Sequence, residues 1–321
     1  MGKQFTGAVA RVQLCGEPVF ERAYGVTRDD ALAEEVFRDT RFDLASITKI
    51  FVATKALELV QNGTLSIDAP LLPWFAEWQG TAHAAITLRM LLAHTSGMNS
   101  GADYRQLLDS NVVDFALRRE LVALPGAGVI YSDLGFIALG ALLERVESRS
   151  LRDLIRGYAP GPRTWKAIPA TEDDGWRGRV QGFVHDEKAF LMGGVAGHAG
   201  IFGTASDVAA LAERYLGALH GRASTLEADL VREAVREQAE DPVLRRGLGW
   251  ALKTSDENSC GRWFSRETFG HTGFVGTCVW ADPVRDVNAV LLTNSVYFGR
   301  NDTRHLRAGF YEAVIDDLGM R

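Results

Sequence analysis

The sequence predicts an α+β protein: an antiparallel sheet of about five strands flanked by helices, with a helical domain inserted into it. Period-two apolar alternation is confined to the two ends of the chain, residues 6–25 and 247–294. Helical spacing dominates from residue 46 to about residue 160 and resumes after residue 205, and no repeat or low-complexity stretch interrupts it. Strands drawn from both termini close one sheet. The predicted units are therefore 1–37 with 201–321, a discontinuous sheet domain, and 38–200, a helical domain. A cleft between two such units is a preferred place for a small-molecule site.

Residues 6–15 and 18–25 alternate on either side of "GEP" and read as a hairpin. Residues 46–62 read as a helix: Ile47, Ile50, Phe51, Ala53, Thr54, Leu57 and Val60 fall at helical spacing, and Gly63 closes it. "TLRMLLAHTSG" starts a helix at a Thr87 cap. Longer helices are expected over 103–120 and 134–149, with "LPGAG" at 124–128 breaking between them. Residues 158–185 read as irregular. "GGVAGHAG" (193–200) is a glycine-rich loop leading into a helix over 205–219, capped by Thr204 with Asp207 three residues on. A further helix is expected over 226–238. Strands follow at 247–253, 275–283 and 288–294, the last two joined by the turn "PVRD", and an amphipathic helix over 302–317 ends the chain.

Composition narrows the function classes. The 321 residues are 46% hydrophobic and 24% charged, the profile of a soluble globular protein long enough to bury a core without staples. A net charge of −6 gives no global basic field, so no nucleic-acid partner is expected. The three cysteines, Cys15, Cys260 and Cys278, are odd in number and widely spaced, which argues against a disulfide framework or a zinc ribbon. Cys15 and Cys278 fall in predicted strands and read as buried small hydrophobes. The longest apolar run, Leu134 to Leu143, is too short to span a bilayer. The N-terminus lacks a signal-peptide core, so the chain reads as cytoplasmic as given, although a removed signal peptide would leave no trace. Arginine outnumbers lysine 29 to six, which makes each lysine stand out.

One lysine sits among apolar neighbours. In "FDLASITKIF" (42–51), Ser46 and Lys49 are three apart at a predicted helix start and share a face. A serine hydroxyl is a poor nucleophile until a base takes its proton. A lysine serves as that base only when neutral, and apolar burial or a neighbouring cation favours that form. Ser46 also lies at a helix N-terminus, where free N–H groups favour developing negative charge. "YSDLGF" places Tyr131 just before a helix, where a nearby ammonium would draw off its proton. "FGHTGFVGT" places His271, Thr272 and Gly273 at a strand whose backbone N–H groups would suit an oxyanion.

Together these stretches resemble the serine β-lactamases, DD-peptidases and related esterases. The three motifs of that family stand in family order: Ser46-Ile47-Thr48-Lys49, Tyr131-Ser132-Asp133 and His271-Thr272-Gly273. "LLAHTSGM", "YSDLGFIALGALLERV" and "VHDEKAFLMGGVAGHAGIFGTASDVA" extend the resemblance, to its class C-like branch, over nearly the whole chain. It implies that Ser46 is acylated, that Lys49 activates it, and that Tyr131 passes protons to the leaving group and later activates water. It also implies an oxyanion hole from the backbone N–H groups of Ser46 and Phe274, substrate contacts from Asp133, His271, Thr272 and Gly273, and no cofactor or metal. The expected substrate is a small ester, amide or β-lactam-like molecule.

Two departures bear on the substrate. Asp133 stands where many members carry asparagine, and a carboxylate offers no donor to a substrate carbonyl. His271 stands where many carry lysine, which removes a permanent cation. These favour a carboxylesterase. The alternatives are a D-alanyl-D-alanine carboxypeptidase or D-amino-acid peptidase with weak β-lactamase activity, and a non-catalytic penicillin-type sensor. His94 reads as a structural loop histidine. His185, Asp186, Glu187 and His198 read as a loop held by its own hydrogen bonds rather than as metal ligands, since no HExxH spacing accompanies them. Trp74 and Trp78, four apart, read as helix packing. Oligomeric state is not legible.

Overall fold

The computed structural model describes residues 3–157, 167–239 and 245–321. A hairpin of β1 (Gly7–Leu14) and β2 (Glu17–Gly25) opens the chain, and β3 (Phe42–Asp43) leads into helix α1 (Thr48–Gln61). The helical segment continues through α2 (Leu88–Leu92), α3 (Val112–Arg118), α4 (Asp133–Glu147) and α5 (Leu151–Ile155). A small ribbon of β4 (Asp173–Asp174) and β5 (Gly178–Arg179) precedes α6 (Glu187–Leu191) and β6 (Phe202–Gly203). Then come α7 (Ala205–Leu219), α8 (Ala228–Val235), strands β7 (Ala251–Leu252), β8 (Phe269–Thr272), β9 (Cys278–Asp282) and β10 (Val287–Thr293), and α9 (Arg304–Asp317).

The main sheet is antiparallel with the order β2-β1-β10-β9-β8-β7. Its sixth strand, β7, is a two-residue edge beyond the five longer ones. Both faces are covered, and the alternation within each strand says how. Val9, Val279, Ala281, Val290 and Leu292 enter the main core with residues of α1, α4 and α7. Their neighbours Ala10, Val12, Cys278, Trp280, Ala289 and Leu291 meet Tyr311, Val314 and Ile315 of α9 on the other face.

Helix α1 runs through the middle of the main core. It is buried on nearly all sides, from Thr48 through Thr54 and again at Ala56, Leu57 and Leu59. Each fully buried Ile, Leu or Phe there contributes about 1.5–3 kcal/mol. Lys49 is fully buried with them.

The opening hairpin, the Thr87 cap and the Thr204–Asp207 capping box all form as the sequence indicates. Elsewhere the elements differ. The helix expected over 103–120 is a turn at Tyr104–Leu107 followed by α3, because Asn111 Oδ1 caps a new helix on the N–H groups of Val113 and Asp114. The strand expected over 247–253 shrinks to β7, since Gly247 N–H closes a tight turn on Trp250 O at 3.0 Å. Cys15 is not a buried strand residue: it is exposed, with a φ of 52°, in the turn between β1 and β2. Trp74 and Trp78 lie in separate helical turns, and only Trp78 is buried, its Nε1 donating to Leu117 O at 3.0 Å. Of the segment read as irregular, 158–166 lie outside the described residues.

Candidate active site

Ser46 sits where the chain turns from β3 into α1, and Asp43 holds that corner. Its Oδ1 accepts from Ala45 N–H at 2.8 Å and its Oδ2 from His185 N–H at 2.7 Å. Burial pushes its carboxyl pKa upward, against the pull of those two bonds. Ala45 has a φ of 46°, a left-handed conformation that costs a non-glycine residue about 1–2 kcal/mol. The helical turn Ala45–Ile47 then places Ser46 at the N-terminus of α1.

One turn further on, Lys49 Nζ lies 3.1 Å from Ser46 Oγ. It donates to Asp133 Oδ1 at 2.8 Å and to His198 O at 3.3 Å, and lies 4.8 Å from the centroid of the Tyr131 ring. Burial disfavours its charge, but Asp133 and Tyr131 outweigh burial and raise the lysine pKa above its usual value. Lys49 therefore rests as an ammonium, not as the neutral amine that burial alone would leave.

Tyr131 precedes Ser132, whose Oγ caps α4 by accepting from Gly135 N–H at 2.9 Å. Ser132 N–H donates to His94 Nδ1 at 3.0 Å, so His94 carries no proton on that nitrogen. Burial, with help from the nearby cations, holds its pKa well below the usual histidine value. The ring packs at a tilt against Tyr131 at 4.6 Å and Phe136 at 5.0 Å. Its place is beside Tyr131, as a support for the phenol.

Behind Lys49 the charges close into a ring. Asp133 Oδ2 lies 3.4 Å from Lys188 Nζ, which lies 3.1 Å from Asp186 Oδ2. Asp186 Oδ1 lies 2.8 Å from His198 Nε2, and the His198 main-chain oxygen accepts from Lys49. Gly197 brings that histidine in: a Cβ there would lie 1.8 Å from Phe136 O of α4. Burial pulls the Asp133 pKa up, yet Lys49, His198 and Lys188 bring it down to about 2. Asp133, Asp186 and His198 bring potential metal-ligand atoms within 4.8 Å of one another. The charge that a cation would supply to the two carboxylates is supplied by the Lys188 ammonium.

The opposite wall is the turn after β8. Thr277 Oγ1 donates to Leu44 O at 3.1 Å, tying that turn to the Ser46 corner. Gly273 fits between them because a Cβ would lie 2.1 Å from Thr277 Oγ1 and 2.6 Å from Leu44 O. Among the described residues, the backbone N–H groups of Ser46 and Phe274 have no hydrogen-bond partner. The half-exposed Phe274 ring stacks on His185 at 5.5 Å and lies 5.2 Å from the Arg300 guanidinium. Glu172 reaches both, at 2.9 Å from His185 Nε2 and 2.6 Å from Arg300, and these partners hold its carboxyl well below the usual range. His271 Nδ1 donates to Thr272 O at 2.9 Å. Burial first, then Arg246 and Lys49, push its pKa down to about 3.

A cavity of about 640 Å³ opens between the walls. Ser46, Tyr131, His271, Thr272 and Phe274 line it, together with Arg246 and Arg307. Lys49 and Asp133 stand behind this lining, and Gly273 supports it from below. Sequence reasoning singled out neither arginine, nor Lys188, nor Asp43. Arg307, on α9, donates through one Nη to Gly273 O at 2.8 Å, and its Nε has no partner among the described residues. Arg246 lies 5.1 Å from the Tyr131 ring centroid. The one signal available was scarcity: Lys188 is one of six lysines.

The profile of the beta-lactamase family matches residues 1–312. A putative D-alanyl-D-alanine carboxypeptidase of Escherichia coli (strain K12) is 30% identical, covering 86% of this chain and 75% of that protein. An N-acetylmuramyl-L-alanine amidase of Bacillus subtilis (strain 168) is 30% identical, over 90% of this chain and 77% of that protein. Among solved structures, EstCE1, described as a hydrolase with promiscuous acyltransferase activity, superposes with a TM-score of 0.77 at 20% identity, over 96% of this chain and 93% of that one, and so shares the fold. With the family profile spanning nearly its whole length, the chain belongs to the beta-lactamase family of serine hydrolases.

Proposed function

We propose that this hydrolase works through a Ser46 acyl-enzyme and acts on an amide whose substrate carries a carboxylate close to the scissile bond, of the kind found at D-amino-acid termini and in muramyl peptides. Ser46 Oγ attacks the carbonyl carbon, and its proton moves to Lys49 Nζ once that amine is neutral. The N–H groups of Ser46 and Phe274 receive the oxyanion, each such donor being worth about 3 kcal/mol in the transition state. Tyr131 then gives a proton to the leaving nitrogen and later takes one from the water that releases the acid. The proposed sheet unit (1–37 and 201–321) and helical unit (38–200) form the two walls. The observation that carries the reading is the fully buried Lys49 ammonium 3.1 Å from the serine oxygen.

The substrate class rests on Arg246 and Arg307. A preference for uncharged esters follows from the lost lysine at His271, but two guanidiniums at the cavity wall return positive charge to it. The names of the relatives point the same way: the two described above are an amidase and a putative carboxypeptidase. A small carboxylic ester is the second reading, favoured by the neutral His271 and by an Asp133 with no donor to offer. Initial rates on a D-Ala-D-Ala peptide, a muramyl-L-alanine peptide, p-nitrophenyl acetate and butyrate, and nitrocefin separate the two. Peptide turnover is expected; turnover of the esters with both peptides inert would install the second reading.

A further inference from the structure

We propose that Lys188 is a positioning residue for the proton step at Ser46: by sharing the Asp133 carboxylate, it loosens that carboxylate's hold on Lys49. The inference rests on the reading of Ser46 as nucleophile and Lys49 as the acceptor of its proton.

The difficulty it resolves is visible in the geometry. Lys49 must be neutral to accept a proton, yet Asp133 sits 2.8 Å from its Nζ. An anion at that distance favours the ammonium by one to three pK units. A second ammonium on the same carboxylate works in the opposite sense. Lys188 lies 3.4 Å from the other Asp133 oxygen, is nine-tenths buried, and is itself fixed by Asp186 at 3.1 Å. Asp186 is in turn held by Ala189 N–H at 2.8 Å and by His198 Nε2 at 2.8 Å. Because the His198 main-chain oxygen accepts from Lys49, a change at Lys188 reaches Lys49 from two sides.

His198 also acts on Asp133 through its charge, but its hydrogen bond goes to Asp186 and not to Asp133. From the α2 and β8 sides, His94 and His271 are held neutral by burial. Tyr131, ahead of α4, favours the charged form of Lys49. Arg246, from the segment before β7, is a cation at the cavity wall, 5.1 Å from the Tyr131 ring centroid. Lys188 is the cation that touches the carboxylate which Lys49 also touches.

The rate of Ser46 phosphonylation by a fluorophosphonate probe, followed by intact mass from pH 7 to 12 because the Lys49 pKa is raised above its usual value, reads this directly. In that reaction the P–O bond forms at Ser46 Oγ, fluoride leaves, and the serine proton passes to Lys49. With Lys188→Gln, the acid limb of the profile is expected to move up by about one pH unit, the scale of one lost neighbouring charge, with the high-pH plateau kept. Lys188→Arg should retain the wild-type limb. Asp186→Asn removes an anion and should move the limb down. These opposite signs are what a merely structural role would not produce, since damage to the loop lowers the plateau in every variant. Should Lys188→Gln fail to fold, Asp186→Asn and Lys188→Arg still carry the test. An unmoved limb in Lys188→Gln, or the same direction of shift in it and Asp186→Asn, overturns the role of Lys188. A wild-type protein that forms no Ser46 adduct at any pH overturns the function proposed above instead.

Discussion

The two walls of the cleft handle charge in opposite ways. On the helical wall, charges are matched: Lys49, Asp133, Lys188 and Asp186 follow one another at 2.8, 3.4 and 3.1 Å. On the sheet wall, the buried Arg307 has a main-chain acceptor and an Nε without a partner among the described residues, and burial pushes the His271 pKa down to about 3. Matched charges fix the protonation of groups that pass protons, because each pK depends on its neighbours. Arg307 also lines the cavity, where a guanidinium can meet an anion on a ligand. On the proposed function the first wall carries the chemistry and the second the recognition, and substitutions on the two should fail differently.

The largest expected effect is on the helical wall. Ser46→Ala should reduce turnover to background. Lys49→Ala and Tyr131→Phe should each lower kcat by at least about a hundredfold, the scale of lost acid–base catalysis, with KM little changed. Wild-type-like rates in either would remove that residue from the mechanism. On the sheet wall, Arg307→Ala should instead raise KM for a carboxylate-bearing substrate by about tenfold, the effect of one charge-assisted hydrogen bond, and should cost p-nitrophenyl acetate turnover less, through the Gly273 carbonyl it no longer holds. Equal losses on both substrates would erase the contrast between the walls.

Two smaller effects concern stability. Gly273→Ala forces a methyl against Thr277 Oγ1 and Leu44 O, an overpacking expected to cost about 1–3 kcal/mol in urea unfolding. An unchanged midpoint would mean that the seam is looser than its distances indicate. His271 supplies the pH dependence. Its folded pKa is about 3, against an unfolded value of about 6.5, so between those values the unfolded chain binds the extra proton. Stability should thus be fullest above about pH 6.5 and fall as pH drops toward 3. His94 contributes in the same direction. Unfolding midpoints at pH 7 and pH 5 should draw closer in His271→Asn than in the wild type; an undiminished gap would place the acid sensitivity elsewhere.

What the sequence made legible follows from the range of each interaction. The hairpin of β1 and β2, the Thr204 cap and the three motif segments are local patterns, and each is where the sequence puts it. The convergence of Ser46, Tyr131, His271, Thr272 and Phe274 on one cavity was legible only through the family resemblance, since more than 200 positions separate the first from the last. The ring behind Lys49 was not legible. Lys188 meets Asp133 across 55 positions, through a loop whose course depends on Gly197 lying against the Phe136 carbonyl. In the sequence, "HDEK" reads as a solvated charge run. Arg307 looks like one more surface arginine on an amphipathic helix until α9 packs it against the Gly273 turn. Failures ran the other way at 103–120 and 247–253, where a local cap at Asn111 and a tight turn at Gly247 overrode a longer periodic pattern.

Site mapping of a fluorophosphonate adduct, on the wild type and Lys49→Ala side by side, probes the serine–lysine pair most directly. A single adduct on Ser46 in the wild type, formed at least about a hundredfold more slowly in Lys49→Ala, is the expected result. An adduct on another residue, or equal rates in the two proteins, would contradict it.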